Sequence, residues 1–133
     1  MKKSVLIFFA VMAIFSGRAY AQDARFGTGE QAEQCKLYLS YYQEYWKQKN
    51  YDSALPNWRK AYAVCPPTAS QNMFVHGTTL YTKLYAKATD PAQKEAIADT
   101  IILLQDQRMA AFPKSRTTVL NNKGQYIINY KSA

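Results

Sequence analysis

The residue types best suited to chemistry are few in this sequence: two cysteines, Cys35 and Cys65, and one histidine, His76. With no second histidine, a zinc site would have to rest on carboxylates, so we predict no metal site and expect His76 to pack on a helix. The serines, cysteines and histidine form no evident nucleophile set, and Asp99 and Asp106 are expected on an exposed helix face. No glycine-rich phosphate loop is present either, so we predict a protein that is not an enzyme and holds no cofactor.

The two cysteines are predicted to form a disulfide. Cys35 falls near the start of one predicted helix and Cys65 at the end of the next, and these two points lie side by side in an antiparallel helical hairpin. A bridge that closes a loop of about 30 residues would stabilise the fold by roughly 3 to 4 kcal/mol. The alternative is a pair of buried thiols. A redox-active pair is not expected, because the spacing differs from Cys-x-x-Cys.

The N-terminal segment has the three zones of a secretory signal. Two lysines follow Met1, "VLIFFAVMAIF" at residues 5–15 is an apolar stretch, and "AYA" at residues 19–21 is a small-x-small cleavage site. The apolar stretch is too short to span a bilayer comfortably. We therefore predict a signal peptide at residues 1–21 and an exported protein, in the periplasm or associated with the outer membrane, with no transmembrane segment after cleavage. An uncleaved membrane anchor is the alternative.

The charge of the chain is positive and unevenly distributed. The formal net charge of +8 falls to +5 when Lys2, Lys3 and Arg18 are removed with the signal, which leaves 14 basic and 9 acidic residues. After Asp106 the chain carries basic residues and no acid. Such a tail can bind phosphate or anionic lipid, but scattered charges are more typical of a solvated surface. Because the basic residues form no dense patch, we expect no nucleic-acid partner.

Hydrophobic periodicity predicts helices after a flexible leader at residues 22–29. Residues 30–48 lack proline and glycine and carry apolar side chains three and four positions apart, as on one face of a helix. The sequence "KNYD" then supplies a turn, with Asp52 as the cap of a second helix over residues 53–64. Two prolines end that helix.

The second half of the chain repeats this pattern. A third helix is predicted over residues 70–87, although Gly77 inside it costs about 1 kcal/mol relative to alanine and needs a packing reason. Asp90 and the proline after it predict the start of a fourth helix that runs to about residue 111. Residues 125–130 fit either a further helix or a strand. No segment alternates strongly enough to compete with the helical pattern, so the predicted class is all-α.

Two helices joined by a turn form a hairpin, and residues 35–68 resemble one such hairpin, the 34-residue tetratricopeptide repeat (TPR). The positions that match the family motif are Tyr38, Tyr45, Ala54, Trp58, Ala61 and Pro66. Tyr41 and Tyr42 stand where the family has leucine and glycine. The resemblance implies that the matching residues pack inside the hairpin. It also implies that residues 30–133 form antiparallel helical hairpins stacked as a short TPR-like α-solenoid.

The rest of the chain resembles a diverged continuation of this repeat. Residues 70–113 are similar to a lengthened copy, with Gly77 and Ala96 near its small-residue positions, and residues 114–133 would be a partial repeat or a tail. Together with the signal segment, the spacing resembles an exported TPR family of Gram-negative bacteria whose members are commonly several repeats longer. About three repeats normally cover each other's open faces. We therefore expect an array that is truncated, or completed by a partner or by self-association.

The resemblance also implies where a partner would bind, because it places Trp46 on the concave face of the array. The implied partner-binding residues are Lys36, Leu39, Gln43, Trp46, Lys47, Phe74, Thr78 and Tyr81. Such faces recognise extended peptides or helices through aromatic anchors and polar rims. We therefore expect a non-enzymatic interaction scaffold of the cell envelope that binds a protein or peptide partner. The alternative is a helical module that self-associates to complete its array, without a ligand groove.

Overall fold

The computed structural model describes residues 24–131, and this part of the chain is helical and contains no strand. Its α-helices are α1 (Gly29–Lys47), α2 (Tyr51–Val64), α3 (Gln71–Lys87), α4 (Pro91–Ala111) and α5 (Arg116–Tyr130). Short 3-10 helices, Ala24–Phe26 and Pro113–Ser115, precede α1 and α5. The predicted all-α class is confirmed, whereas the TPR-like stacking stays a prediction. The predicted signal peptide lies outside the described residues, and no described helix is long and apolar enough to cross a membrane.

The turn between α1 and α2 is closed by backbone hydrogen bonds. Lys49 has a φ of 56°, in the left-handed region that glycine usually occupies. Its N–H donates to the carbonyl of Trp46 at 2.9 Å, and the N–H of Asn50 donates to the carbonyl of Tyr45 at 2.9 Å. These two bonds form a Schellman motif, which satisfies carbonyls at the end of α1 and reverses the chain.

Side-chain caps set the starts of α2 and α4. Asn50 accepts a hydrogen bond from the N–H of Ser53 at 3.2 Å, so it is Asn50 that caps α2. Asp52, the predicted cap, lies inside the first turn because α2 begins two residues earlier than expected. For α4 the prediction is confirmed: Asp90 accepts from the N–H of Gln93 at 2.8 Å, and a proline occupies the first helical position.

The first hairpin is joined at its open end by the two cysteines. Their Sγ atoms lie 2.09 Å apart, at disulfide distance, so the predicted pairing of Cys35 with Cys65 is confirmed. Cys35 stands in the second turn of α1, and Cys65 is the residue at which α2 ends. The bridge therefore ties the beginning of one helix to the end of the next.

The repeat motif implies that Tyr45 of α1 packs inside the hairpin, but Tyr42 is the buried tyrosine instead. The buried side chains of this hairpin are Ala32, Cys35, Leu39, Tyr42, Ala54, Trp58, Ala61 and Cys65. Tyr45, implied as a packing residue, is 37% exposed, and Tyr38 is half-buried, whereas Tyr42 is fully buried. The reason is helical phase: Tyr42 follows Leu39 by three positions and Cys35 by seven, so it lies on the buried stripe. Pro66 follows the end of α2 and is half-buried.

The two hairpins meet where α2 packs on α3. The indole N–H of Trp58 donates to the carbonyl of Met73 at 2.7 Å, and both groups are buried. A Cβ atom placed on Gly77 would stand 2.2 Å from Cζ2 of Trp58. This contact is the packing reason that a glycine inside a helix requires. Trp58, implied as a residue that packs within its own hairpin, therefore also fills the joint with the next one.

A buried polar contact and an aromatic contact join α3 to the α4 segment. The side-chain amide of Gln105 donates to the hydroxyl of Thr78 at 2.8 Å and to the carbonyl of Ile101 at 3.2 Å. Phe74 meets Phe112 edge to face, with ring centroids 6.3 Å apart. Because Phe74 and Thr78 both turn toward this interface, α3 presents other residues to solvent.

The last helix packs along α4. Val119 is fully buried, and Tyr126 and Tyr130 pack against a cluster that contains Ile97 and Ile101. The segment at residues 125–130, which fits either a helix or a strand by its pattern, is therefore helical. The helix continues back to Arg116, so most of the expected tail belongs to one regular element.

Ion pairs also hold α5 against α4. Lys123 pairs with Asp106 at 2.6 Å, and Lys131 pairs with Asp99 at 2.8 Å and with Glu95. Hydrogen bonds to the carboxylates of Asp99 and Glu95 raise the pKa of Lys131 above its usual value. Part of the positive charge of the C-terminal segment is thus neutralised within the chain.

Candidate partner-binding surface

The centre of the candidate site is Trp46, a half-buried side chain near the end of α1. Its ring stacks on the imidazole of His76, with centroids 4.0 Å apart and planes 17° apart. It also meets Tyr51 of α2 edge to face at 5.4 Å. Because these contacts come from two other helices, α2 and α3, the exposed part of the indole is held in one orientation.

Two titratable side chains, Tyr42 and His76, contact each other next to Trp46. The hydroxyl of Tyr42 and Nδ1 of His76 lie 3.4 Å apart, and their rings are close to perpendicular. Burial lowers the pKa of His76 below its usual value. Burial also raises the pKa of Tyr42 to about 12, and a hydrogen bond with Gln43 acts in the opposite direction. Both side chains are therefore uncharged at neutral pH. Trp46 stacks on an imidazole that carries no charge.

On α1, the residues implied as partner-binding fall into two groups. Lys36 and Lys47 are exposed, and Gln43 is half-buried next to Trp46, which it precedes by one helical turn. Leu39 is only 6% exposed and belongs to the core of the hairpin. The structure therefore keeps four of the five α1 residues at the surface, with Lys36 at the far end in an ion pair with Glu33.

On α3, the implied residues do not reach this surface. Phe74 is 1% and Thr78 5% exposed, because both face the α4 side. Tyr81 turns toward α2, where its ring meets Trp58 and its hydroxyl accepts from Arg59 at 3.3 Å. Contrary to the expectation, Phe74, Thr78 and Tyr81 are therefore not on the same surface as Trp46.

The solvent-facing side of α3 lies one position further along than the repeat resemblance implies. Val75 is 37% exposed, Thr79 is half-buried and Lys83 is exposed, and each flanks or follows His76 at helical spacing. We define the α1–α3 surface by these residues: Gln43, Trp46, Lys47, Val75, His76, Thr79 and Lys83. The buried face of α3 is predictable from Gly77, because a glycine inside a helix indicates a close contact on its own face.

A basic cleft of 370 Å³ adjoins the α1–α3 surface at the end of the first hairpin. It is lined by Lys49, Asn50, Tyr51, Asp52, Lys83, Ala86 and Lys87. The ammonium of Lys83 lies 4.4 Å from the centre of the Tyr51 ring, and Lys87 pairs with Asp52 at 2.5 Å. With three lysines and one aspartate, the lining has a net charge of +2. Tyr51 connects the cleft to Trp46, so an aromatic anchor and a basic rim lie side by side.

A second aromatic surface lies on another side of α1, where the repeat resemblance implies none. Tyr41 is 48% and Tyr45 37% exposed. With Glu44, Gln48 and Asn57 they line a cleft of 410 Å³. Among residues 24–131, no aromatic ring stacks on these tyrosines as His76 stacks on Trp46, and they serve below as a comparison surface.

Neither metal chemistry nor a known relative adds to this description. Within residues 24–131, no group of three or more His, Cys, Asp or Glu side chains is arranged to hold a metal ion. No protein-family model, curated protein or solved structure matches the chain. The arrangement of the α1–α3 surface can support binding by stacking, apolar contact and attraction of negative charge.

Proposed function

We propose that this protein is a non-enzymatic interaction scaffold of the bacterial cell envelope, which binds a protein or peptide partner on the α1–α3 surface. The observation that carries the proposal is the stacking of Trp46 on His76, at 4.0 Å, beside a basic cleft. A tryptophan held rigidly and left partly exposed is the kind of residue that dominates the energy of protein interfaces. Because the ring is already ordered in the free protein, binding loses little conformational entropy at this residue.

The basic cleft suggests the chemistry of the partner. Its net charge of +2 favours a segment that carries carboxylates next to an apolar side chain. The apolar side chain would contact Trp46 and Val75, and the carboxylates would lie near Lys49 and Lys83. We therefore propose an acidic peptide segment, extended or helical, as the bound element.

Export and the repeat family belong to the same proposal. The signal segment at residues 1–21 supports secretion to the periplasm or the outer membrane. The hairpin motif at residues 35–68 supports membership of the TPR family. Mass spectrometry of the exported protein tests the first point: we expect a mature chain that begins at Gln22, and an intact N-terminus would contradict cleavage.

Photo-crosslinking tests the location of the binding surface. A photoreactive amino acid at Thr79, on the α1–α3 surface, should give a crosslink to one defined protein in the native envelope. The same amino acid at Ala92, an exposed residue of α4, is the matched control and should not. Equal crosslinking from both positions, or none from Thr79, would contradict the assignment.

A further inference from the structure

Beyond the proposed partner surface, the last helix carries a second apolar surface. Leu120 is 45%, Ile127 42% and Ile128 59% exposed, although Val119 of the same helix is fully buried. At 100° per residue these three side chains lie within one face of α5, and that face is not the one that packs on α4. A run of exposed branched side chains on one helix face is a feature of interaction surfaces.

The ion pairs between α4 and α5 show that this apolar surface extends onto α4. Asp106 pairs with Lys123, and Asp99 pairs with Lys131. Leu103 lies between the two aspartates, and Ile127 lies midway between the two lysines, so these apolar residues stand opposite each other across the helix pair. Leu103 is 49% exposed. We call the exposed side chains Leu103, Leu120, Ile127 and Ile128 the apolar strip; the two ion pairs lie on either side of Leu103 and Ile127.

Gly124 stands at the middle of this strip. It lies four residues after Leu120 and four before Ile128, inside a helix where glycine costs about 1 kcal/mol relative to alanine. A Cβ atom there would meet nothing within 4 Å. At Gly77 the ring of Trp58 fills the corresponding space, whereas at Gly124 the part of the chain that the structure describes supplies no contact that calls for a glycine.

We propose that a second copy of this chain covers the strip, with the two α5 helices crossing antiparallel at Gly124. A two-fold axis at this residue places Leu120 of each copy opposite Ile128 of the other, because both lie four positions from the axis. The pairing is self-complementary, as an isologous dimer requires. The absence of a side chain at the crossing lets the two backbones approach closely.

Charge supports a second copy as the occupant. The two α4 carboxylates at one end of the strip, Glu95 and Asp99, face a single lysine, Lys131, which leaves a net charge of −1 there. At the other end α5 begins with exposed Arg116, which carries +1. The antiparallel crossing brings Arg116 of each copy to the acidic end of the other, since both lie about two turns from Gly124.

Analytical ultracentrifugation of the purified exported protein tests this dimer over a range of concentration. A single helix pair buries less than a standard interface of about 1,600 Å², so we expect a reversible monomer–dimer equilibrium. The variants L120E and I128E should each weaken the dimer by at least about tenfold. The control L37E, which alters an apolar residue of α1 with 45% exposure, should leave the equilibrium unchanged.

A charge exchange keeps the proposal testable if an apolar-to-acidic variant unfolds. R116E should weaken the dimer, and adding E95R to it should restore association, because the opposite charges face each other again across the axis. A chain that stays monomeric at every concentration would overturn the proposal. So would assemblies larger than a dimer, an equal effect of L37E, or a double exchange variant as weak as R116E alone.

Discussion

The indole ring of Trp58 occupies the space that a side chain at Gly77 would need, with Cζ2 only 2.2 Å from the position of a Cβ atom. The ring also donates a hydrogen bond to the carbonyl of Met73 at 2.7 Å and stacks on Tyr62. One side chain thus joins the disulfide-linked hairpin to α3. The α1–α3 surface depends on this joint, because it sets how α3 lies relative to the first hairpin.

The first prediction concerns this joint. Gly77→Ala should lower the free energy of unfolding by about 1 to 3 kcal/mol, because the added methyl group displaces a buried ring. Gly124→Ala is the matched control: it adds the same group to open space inside a helix and should raise the stability of the monomer by about 0.4 to 1 kcal/mol. Urea unfolding at low protein concentration measures both. Equal effects of the two variants would contradict the packing at Gly77.

The second prediction concerns the disulfide. Replacing both Cys35 and Cys65 by alanine should lower the free energy of unfolding by about 3 to 4 kcal/mol, because the bridge spans a sequence separation of 30 residues. Reduction of the unaltered protein should produce a loss of similar size. Two titratable thiols in the unreduced protein after denaturation would show that the bridge does not form.

The third prediction concerns the left-handed residue between α1 and α2. Lys49→Gly should stabilise the protein by about 1 kcal/mol, because glycine adopts a φ of 56° without the clash that a side chain suffers. Lys47→Gly, at the last residue of α1, removes the same side chain from a right-handed helical position and should destabilise by up to about 1 kcal/mol. Thermal unfolding of the two variants gives the comparison, and a loss of stability in both would contradict the backbone conformation of Lys49.

The fourth prediction concerns pH and the single histidine of the chain. Burial lowers the pKa of His76 below its usual value of about 6.5, so below that pH the unfolded state binds the proton more readily than the folded state. The free energy of unfolding should therefore fall as the pH drops from about 7.5 to 5.5, and His76→Gln should abolish this part of the dependence. Its single imidazole signal in NMR titration gives the pKa directly. A value at or above 6.5 would contradict the burial of His76.

The boundaries of the helices follow closely from the sequence, because strong local signals mark them. Asp90 and the following proline start α4 where expected, and the disulfide pairing follows from the positions of the cysteines in a hairpin. Asp52 is a weaker guide, since the neighbouring Asn50 is an equally good cap and lies where the chain leaves the turn.

The faces of the helices were harder to predict than their ends. Tyr42 and Tyr45 are the same residue type, so only their helical phase relative to the buried Cys35 and Leu39 decides which one is buried. Ala96, which the repeat spacing places near a packing position, is exposed, and Ala98 is buried instead. The repeat resemblance implies a helical phase along with a spacing, and the burial of side chains on α3 and α4 does not follow that phase. The same difference in phase explains why Phe74 and Thr78, which the resemblance implies at the partner surface, are buried.

The most direct test of the account is the affinity of the crosslinked partner for two variants of α1. Trp46→Ala removes the anchor of the α1–α3 surface, and Tyr41→Ala removes an exposed aromatic ring from the other side of the helix. Titration calorimetry, with helicity checked by circular dichroism, should show a loss of about 2 kcal/mol of binding free energy for Trp46→Ala and little change for Tyr41→Ala. Unchanged binding by a folded Trp46→Ala variant, or a larger loss for Tyr41→Ala, would contradict the proposed surface.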